Sequence, residues 1–345
     1  MARKAWFVLG GAAVAGALLV VFSTVALLAT VPGHGMLRRF AVRALQRAVR
    51  GRVTIGSLGG NLWRSAELRD VTIETREGQS VIRAERVSAK FALTDLVRSR
   101  FRFVSVEVVR PVVVLEQSLD GTWNVERLFG QPGAHAGPGG RRPYVELVGA
   151  RVIGGTIIVR EHKSKDVVIS REVDGLNVDF ARLRLSHPDS TAIEARFASL
   201  AARVRNPDVT LMRGDGVAAL ERDSLRFAFA HVGMPASAAS ASGTVRWDGG
   251  RTRLEVAVAA RSFAFSDVRA LVPIPLPEDG GGSISLRLRL LGDGASEFDV
   301  GEAQVRTGRS SFSGRGKLTF GQRGGASVRG LDAVLAPLDL ALLRL

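Results

Sequence analysis

Strict alternation of apolar and polar residues over Ile284-Ser285-Leu286-Arg287-Leu288-Arg289-Leu290 constrains this chain more than any other feature. A helix would scatter those leucines around its circumference, whereas a strand places every second side chain on one face. The same period of two runs through Val71/Ile73, Val106/Val108, Leu176/Val178/Phe180, Leu225/Phe227/Phe229 and Leu254/Val256/Val258. Turn signals separate these runs at Glu77-Gly78, Asp120-Gly121, Asp174-Gly175, Asp248-Gly249-Gly250, Gly292-Asp293-Gly294 and Gly324-Gly325. Strands that alternate with long helices, the mark of a parallel α/β fold, are not seen. The pattern predicts a mainly β chain of antiparallel sheet, with one apolar and one wetted face. Helical patterns are short: Thr94–Arg100, Trp123–Phe129, Ser266–Leu271 and Leu338–Leu345. An apolar face must be covered, and two covers are open: a second sheet, giving a sandwich, or an acyl chain lying in an open trough.

The N-terminal residues follow a different rule. No residue from Ala5 to Val31 is charged, and Pro32-Gly33 ends the run. This exceeds the roughly 20 residues a helix needs to cross a bilayer core. A small-x-small pattern at Thr24-Val25-Ala26 suggests a cleavable signal peptide, but such peptides carry an apolar stretch of only about 7–15 residues. The length favours a retained anchor over residues 1–33. Next, Leu37, Phe40, Ala41, Ala44, Leu45 and Ala48 share one helical face, with Arg39, Arg43, Arg47 and Arg50 on the other. Residues 34–52 therefore read as a basic amphipathic helix. Arg38, Arg39, Arg43, Arg47 and Arg50 are its candidate membrane-surface residues. A cap on the following sheet and an ordinary core-packing helix fit the same pattern. Arg3 and Lys4 before the span and the arginines after it leave orientation undecided by charge.

The net charge of +15 invites a nucleic-acid reading. Eight Lys/Arg and no acid fall within residues 1–52, so about half of that charge sits beside the anchor. Aromatic residues for base stacking are sparse among the basic ones, which argues against nucleic acid and for anionic lipid headgroups. The absence of Cys excludes disulfides, thiol catalysis and Cys-ligated zinc. The five histidines, His34, His135, His162, His187 and His231, form no ligand-spaced pair. Ser186-His187-Pro188-Asp189-Ser190 collects triad residue types, but in a turn; triads assemble in space. Gly314-Arg315-Gly316-Lys317-Leu318-Thr319 lacks the spacing of a phosphate loop and reads as a basic turn. No motif calls for an enzyme, a metal or a cofactor. Trp63 and Trp123 each follow a polar turn and read as packing residues. The Gly/Pro-rich residues 131–143 cannot build a core and divide residues 53–130 from residues 144–345.

The order of local motifs carries a resemblance. Val53-Thr54-Ile55-Gly56-Ser57-Leu58-Gly59-Gly60 is followed by Leu68-Arg69-Asp70-Val71-Thr72-Ile73, then Leu93-Thr94-Asp95-Leu96-Val97. Arg110-Pro111 within a Val-rich strand leads to Asp120-Gly121-Thr122-Trp123-Asn124. With the preceding span and basic helix, this resembles the N-terminal region of the AsmA-like and TamB-like envelope proteins of Gram-negative bacteria. Val152-Ile153-Gly154-Gly155-Thr156 and Asp267-Val268-Arg269-Ala270-Leu271 extend the likeness more loosely. The resemblance implies an inner-membrane anchor with the body in the periplasm. It also implies an elongated, curved, taco-shaped antiparallel sheet whose apolar concave face shelters phospholipid acyl chains, akin to chorein-type bridge proteins. No catalytic motif is carried over. Family members usually run longer, and the apolar ending Leu338–Leu345 reads as that of a fragment.

On this reading the alternating apolar residues named above, from Val71 to Leu290, are the candidate lipid-groove lining. The partners expected are phospholipid, the inner membrane and an outer-membrane β-barrel. The rival reading is a periplasmic scaffold for outer-membrane protein assembly, acting by β-strand addition.

Overall fold

The structure is a computed structural model, and it describes residues 51–60, 64–91, 100–129, 144–164, 166–186, 193–221, 223–248, 251–271, 276–290, 295–308, 310–321 and 325–336. The apolar span, the five arginines of the basic helix, Trp63, residues 131–143, His187–Ser190 and Leu338–Leu345 lie outside these residues. Among the described residues, no helix is long and apolar enough to cross a membrane.

Among the described residues the chain is mainly β, with sixteen strands hydrogen-bonded into sheet and almost no helix. Every alternating run read from the sequence lies on a strand. Two compact units divide near Asn206/Pro207, and strands from both sides of residues 131–143 belong to the first of them.

The first unit contains β1 (Arg52–Gly59), β2 (Ser65–Glu74), β3 (Ser80–Phe91), β4 (Arg100–Val109) and β5 (Val112–Gln117). Helix α1 (Asn124–Phe129), β6 (Tyr144–His162), β7 (Val168–Ser186) and β8 (Ile193–Arg205) complete it. Its order is β1-β2-β3-β4-β6-β7-β8, with β5 beside β3 and β6. The pairs are antiparallel except where β6 runs parallel to β4 and β5, a departure from the purely antiparallel expectation. Parallel neighbours need a crossover of a dozen or more residues, which accounts for the long connection between Gln117 and Tyr144.

Asp174-Gly175 is not the turn its sequence suggests. It lies inside β7 as a bulge, with Gly175 at φ +57°. Beside it, β6 is bulged at Gly154 (φ +63°), and Arg110 (φ +46°) with Pro111 interrupts β4/β5. Proline cannot donate to the ladder, so the break is stitched from outside. The Arg110 N–H donates to the Ile153 carbonyl (2.8 Å), and the Thr156 N–H donates to the Pro111 carbonyl (2.7 Å). The Gly154 N–H donates to Asn177 Oδ1 (3.0 Å). The Arg-Pro motif is thus one part of an irregularity running across three adjacent strands.

The apolar residues of β1 to β6 pack into one hydrophobic cluster with Trp123 and Leu128 of the α1 region. Phe103, Leu68, Ile73, Leu115, Leu128 and Leu147 are its largest fully buried side chains. The Asp-Gly-x-Trp-Asn motif fastens this cluster. Gly121 takes φ +85°, a conformation glycine adopts without strain. Asp120 Oδ1 accepts the Thr122 N–H (2.9 Å). Asn124 then bridges to β5: its Oδ1 accepts the Glu116 N–H (3.1 Å) and its Nδ2 donates to the Val114 carbonyl (2.8 Å).

The second unit contains β9 (Val209–Leu220, bar its last residue), β10 (Ser224–Gly233), β11 (Ala238–Asp248) and β12 (Arg251–Ala264). The short helix α2 (Phe265–Val268), β13 (Gly281–Leu290), β14 (Ser296–Thr307), β15 (Ser310–Phe320) and β16 (Ala326–Leu335) follow. Its strands are neighbours in chain order, and those from β10 to β16 pair antiparallel. Gly314–Thr319, read as a basic turn, lies within β15; Lys317 there pairs with Glu297 of β14 (3.0 Å).

Candidate functional site: apolar rows across the second unit

Strand register in the second unit converts the alternating sequence into cross-strand rows. Leu225, Val245, Leu254 and Leu290 are successive partners. A second row runs Phe227–Gly243–Val256–Leu288–Phe298–Leu318, and a third Phe229–Ala241–Val258–Leu286–Val300–Gly316. Ile284 pairs with Ala260 and Ala303 in a fourth. Directly opposed residues share a face, so the rows make one apolar surface. Phe227 fills the gap left by Gly243, where a Cβ would come within 2.9 Å of the ring. Phe298 meets Phe320 edge-on, with ring centroids 5.6 Å apart.

Most of these side chains are half-buried; Val245, Ala260 and Ala303 are buried. The burial comes from their neighbours in the rows. Among the described residues of this unit the only helix is α2, four residues long, so the unit's own described residues supply no helical layer for the rows. Asp267 of α2 latches it to the β10–β11 turn. The Ala236 N–H (2.8 Å) and the Ser237 hydroxyl (2.7 Å) donate to Asp267 Oδ2, and the Ala264 N–H donates to Ser237 Oγ (2.9 Å). Asp267→Ala leaves two donors without their acceptor, one of them on buried Ser237. A loss of about 1–3 kcal/mol in unfolding free energy is expected by urea titration, with no change in the apolar rows.

The other face is charged. Arg289 lies between Glu255 and Glu297 (3.4 Å to each), and Arg287 also approaches Glu255 (3.9 Å). A hydrogen bond from Lys317, supported by Arg289, holds the Glu297 carboxyl below the usual carboxylate range. A recess of about 720 Å³ runs across these strands, and both alternations line it: Phe229, Ala241, Val258 and Leu286 of the third row, and the small residues Ala228, Ser242, Ala257, Ala259 and Ser285 between them.

The predicted lining residues do not share one environment. Leu225, Phe227, Phe229, Leu254, Val256, Val258, Ile284, Leu286, Leu288 and Leu290 are brought together on the apolar face. Val71, Ile73, Val106 and Val108 sit in the packed cluster of the first unit, at most 3% exposed. On β7, Val178 is buried, Leu176 is half-buried, and half-buried Phe180 rests against Phe197 (5.1 Å). Sequence reading missed Ala241, Val245, Phe298, Val300, Leu318 and Phe320. Phe298/Val300 and Leu318/Phe320 do alternate, but over runs too short to be distinctive. Ala241 is hidden in the small-residue stretch 236–243. Of the histidines, His162 pairs with Glu116 (2.8 Å) and exposed His231 with Asp215 (3.0 Å). Among the described residues no cluster of His, Asp or Glu is arranged to hold a metal ion. Comparison with family models, with curated proteins and with solved structures finds no match to this chain.

Proposed function

We propose that this chain is an inner-membrane-anchored periplasmic protein that shelters phospholipid acyl chains against the apolar face of β10–β15, serving lipid transport to, or homeostasis of, the outer membrane. The observation that supports it is a set of apolar rows, several strands wide, in a unit whose described residues include no helix beyond the short α2. An acyl chain on those rows removes its own methylenes and the half-buried leucines from water together, at about 0.8 kcal/mol per buried CH2. Headgroups stay in water at the strand ends. The rows cross the strands, so a chain lying across the sheet moves from Leu254 to Leu290, or from Val256 to Leu288 and Phe298, without leaving apolar contact. The uncharged N-terminal span and the basic residues after it support a position beside a leaflet, and the periplasmic side rests on the resemblance in sequence. The role needs no catalytic group.

The full chain, extracted in a mild detergent and washed extensively, is expected to carry phospholipid at near-stoichiometric amounts by mass spectrometry. Lipid-free protein from the same membranes, beside a known lipid carrier that retains its cargo, would overturn the reading.

A further inference from the structure

The edge strand β16 differs from every strand inside the second unit. All ten of its residues are exposed, and among the described residues it pairs only with β15. Val328 (54%), Leu331 (63%) and Leu335 (51%) lie on the apolar alternation, where comparable side chains of β12–β14 are half-buried. Val328 continues the Phe298–Leu318 row, Leu335 follows Phe312, and Leu331 reaches over Gly316, whose Cβ would stand 3.3 Å from it. The apolar surface therefore runs out to an edge whose outward backbone groups have no ladder partner among the described residues. An open apolar edge invites another strand.

The sequence of β16 selects what that strand is. Gly330 (φ +59°) makes a bulge, so Arg329 and Asp332 stand on the same face, opposite Lys317 and Arg315. Antiparallel pairing of β16 with a copy of itself, about a twofold axis between Gly330 and Leu331, puts Arg329 opposite Asp332 twice. The same register puts Val328 opposite Ala333 and Ala326 opposite Leu335, all on the apolar face, with Ser327 opposite Val334 on the other. Without the bulge, this register would join the apolar face of one copy to the charged face of the other. Among the described residues Asp332 otherwise holds only an exposed pair with Arg315 (3.1 Å), and no ion pair of Arg329 is seen. The geometry points to a second copy of this chain as the partner of β16, joined edge to edge so that the two apolar faces continue into one. This rests on the edge and its charges and does not depend on the lipid reading.

Sedimentation velocity of the full chain in detergent is expected to show a concentration-dependent dimer. Leu331→Lys, at an exposed position, and Arg329→Asp, which sets two Asp–Asp pairs across the axis, each weaken it by about tenfold or more. The double swap Arg329→Asp/Asp332→Arg restores it. Because the chain has no Cys, mixing Ser327→Cys chains with Val334→Cys chains is expected to give an oxidised heterodimer, while Ser327→Cys alone does not cross-link. A monomer at all concentrations, a dimer unmoved by these substitutions, or cross-links in another register overturns the proposal. So does finding β16 covered by a strand of a different protein or by other residues of its own chain.

Discussion

Trp123→Ala is expected to lower the unfolding free energy of the β1–β8 unit by about 3–5 kcal/mol, the usual cost of deleting a large buried ring. Trp123 is 6% exposed within the main hydrophobic cluster, and its backbone bridges to Gln117 on β5. Its position is over-determined: Gly121 sets the turn before it, and Asn124 after it is hydrogen-bonded to two backbone groups of β5. The hole left by the ring therefore cannot close easily. Leu128, one turn along α1, has no exposed surface and loses a neighbour layer with it. Urea unfolding followed by circular dichroism measures the loss. Trp123→Phe should retain well over half of the stability, and an unchanged midpoint for Trp123→Ala would show that the motif has a different purpose from anchoring the core.

A charge on the apolar rows is expected to act on cargo instead of on the fold. Leu288 lies in the middle of the longest row, between Val256 and Phe298, and is only half-buried. Leu288→Asp can keep its carboxylate hydrated there, so the unit should stay folded with a near-native denaturation midpoint. An acyl chain crossing that point forfeits contact. Losing even two methylenes of burial, about 1.6 kcal/mol, weakens binding more than tenfold. Ile73→Asp provides the contrast, since Ile73 has no exposed surface and the carboxylate would be buried without a partner. That variant is expected to unfold the first unit. Phospholipid retained at the native ratio by folded Leu288→Asp would show that the rows are not where the lipid lies.

The two substitutions look alike in sequence. Ile73 and Leu288 each sit in an apolar-polar alternation, and both were read as groove lining. Alternation reports which side of a strand is apolar, because side chains point to opposite faces in turn. It says nothing about what lies above that side. In the first unit the answer is α1, Trp123 and the apolar residues of neighbouring strands. In the second, the unit's own described residues offer no helix beyond α2, which Asp267 latches to the β10–β11 turn.

The sequence by itself determined that the described chain is mainly β, and placed β2, β4, β7, β10, β12 and β13, the turns at Glu77-Gly78 and Asp120-Gly121, and two short helices. These follow from local rules: side-chain period, the φ freedom of glycine and the inability of proline to donate. Tertiary structure alone decided the rest. It made Asp174-Gly175 a bulge and Gly314–Thr319 a strand, because long strands can absorb a glycine whose neighbours keep their ladder bonds. It made β6 run parallel to β4 and β5, which depends on how the chain returns after Gln117. It also aligned Leu254 with Leu290 and Val256 with Leu288 and Phe298, turning scattered alternations into rows. Register is a property of pairs of strands, and no single strand carries it.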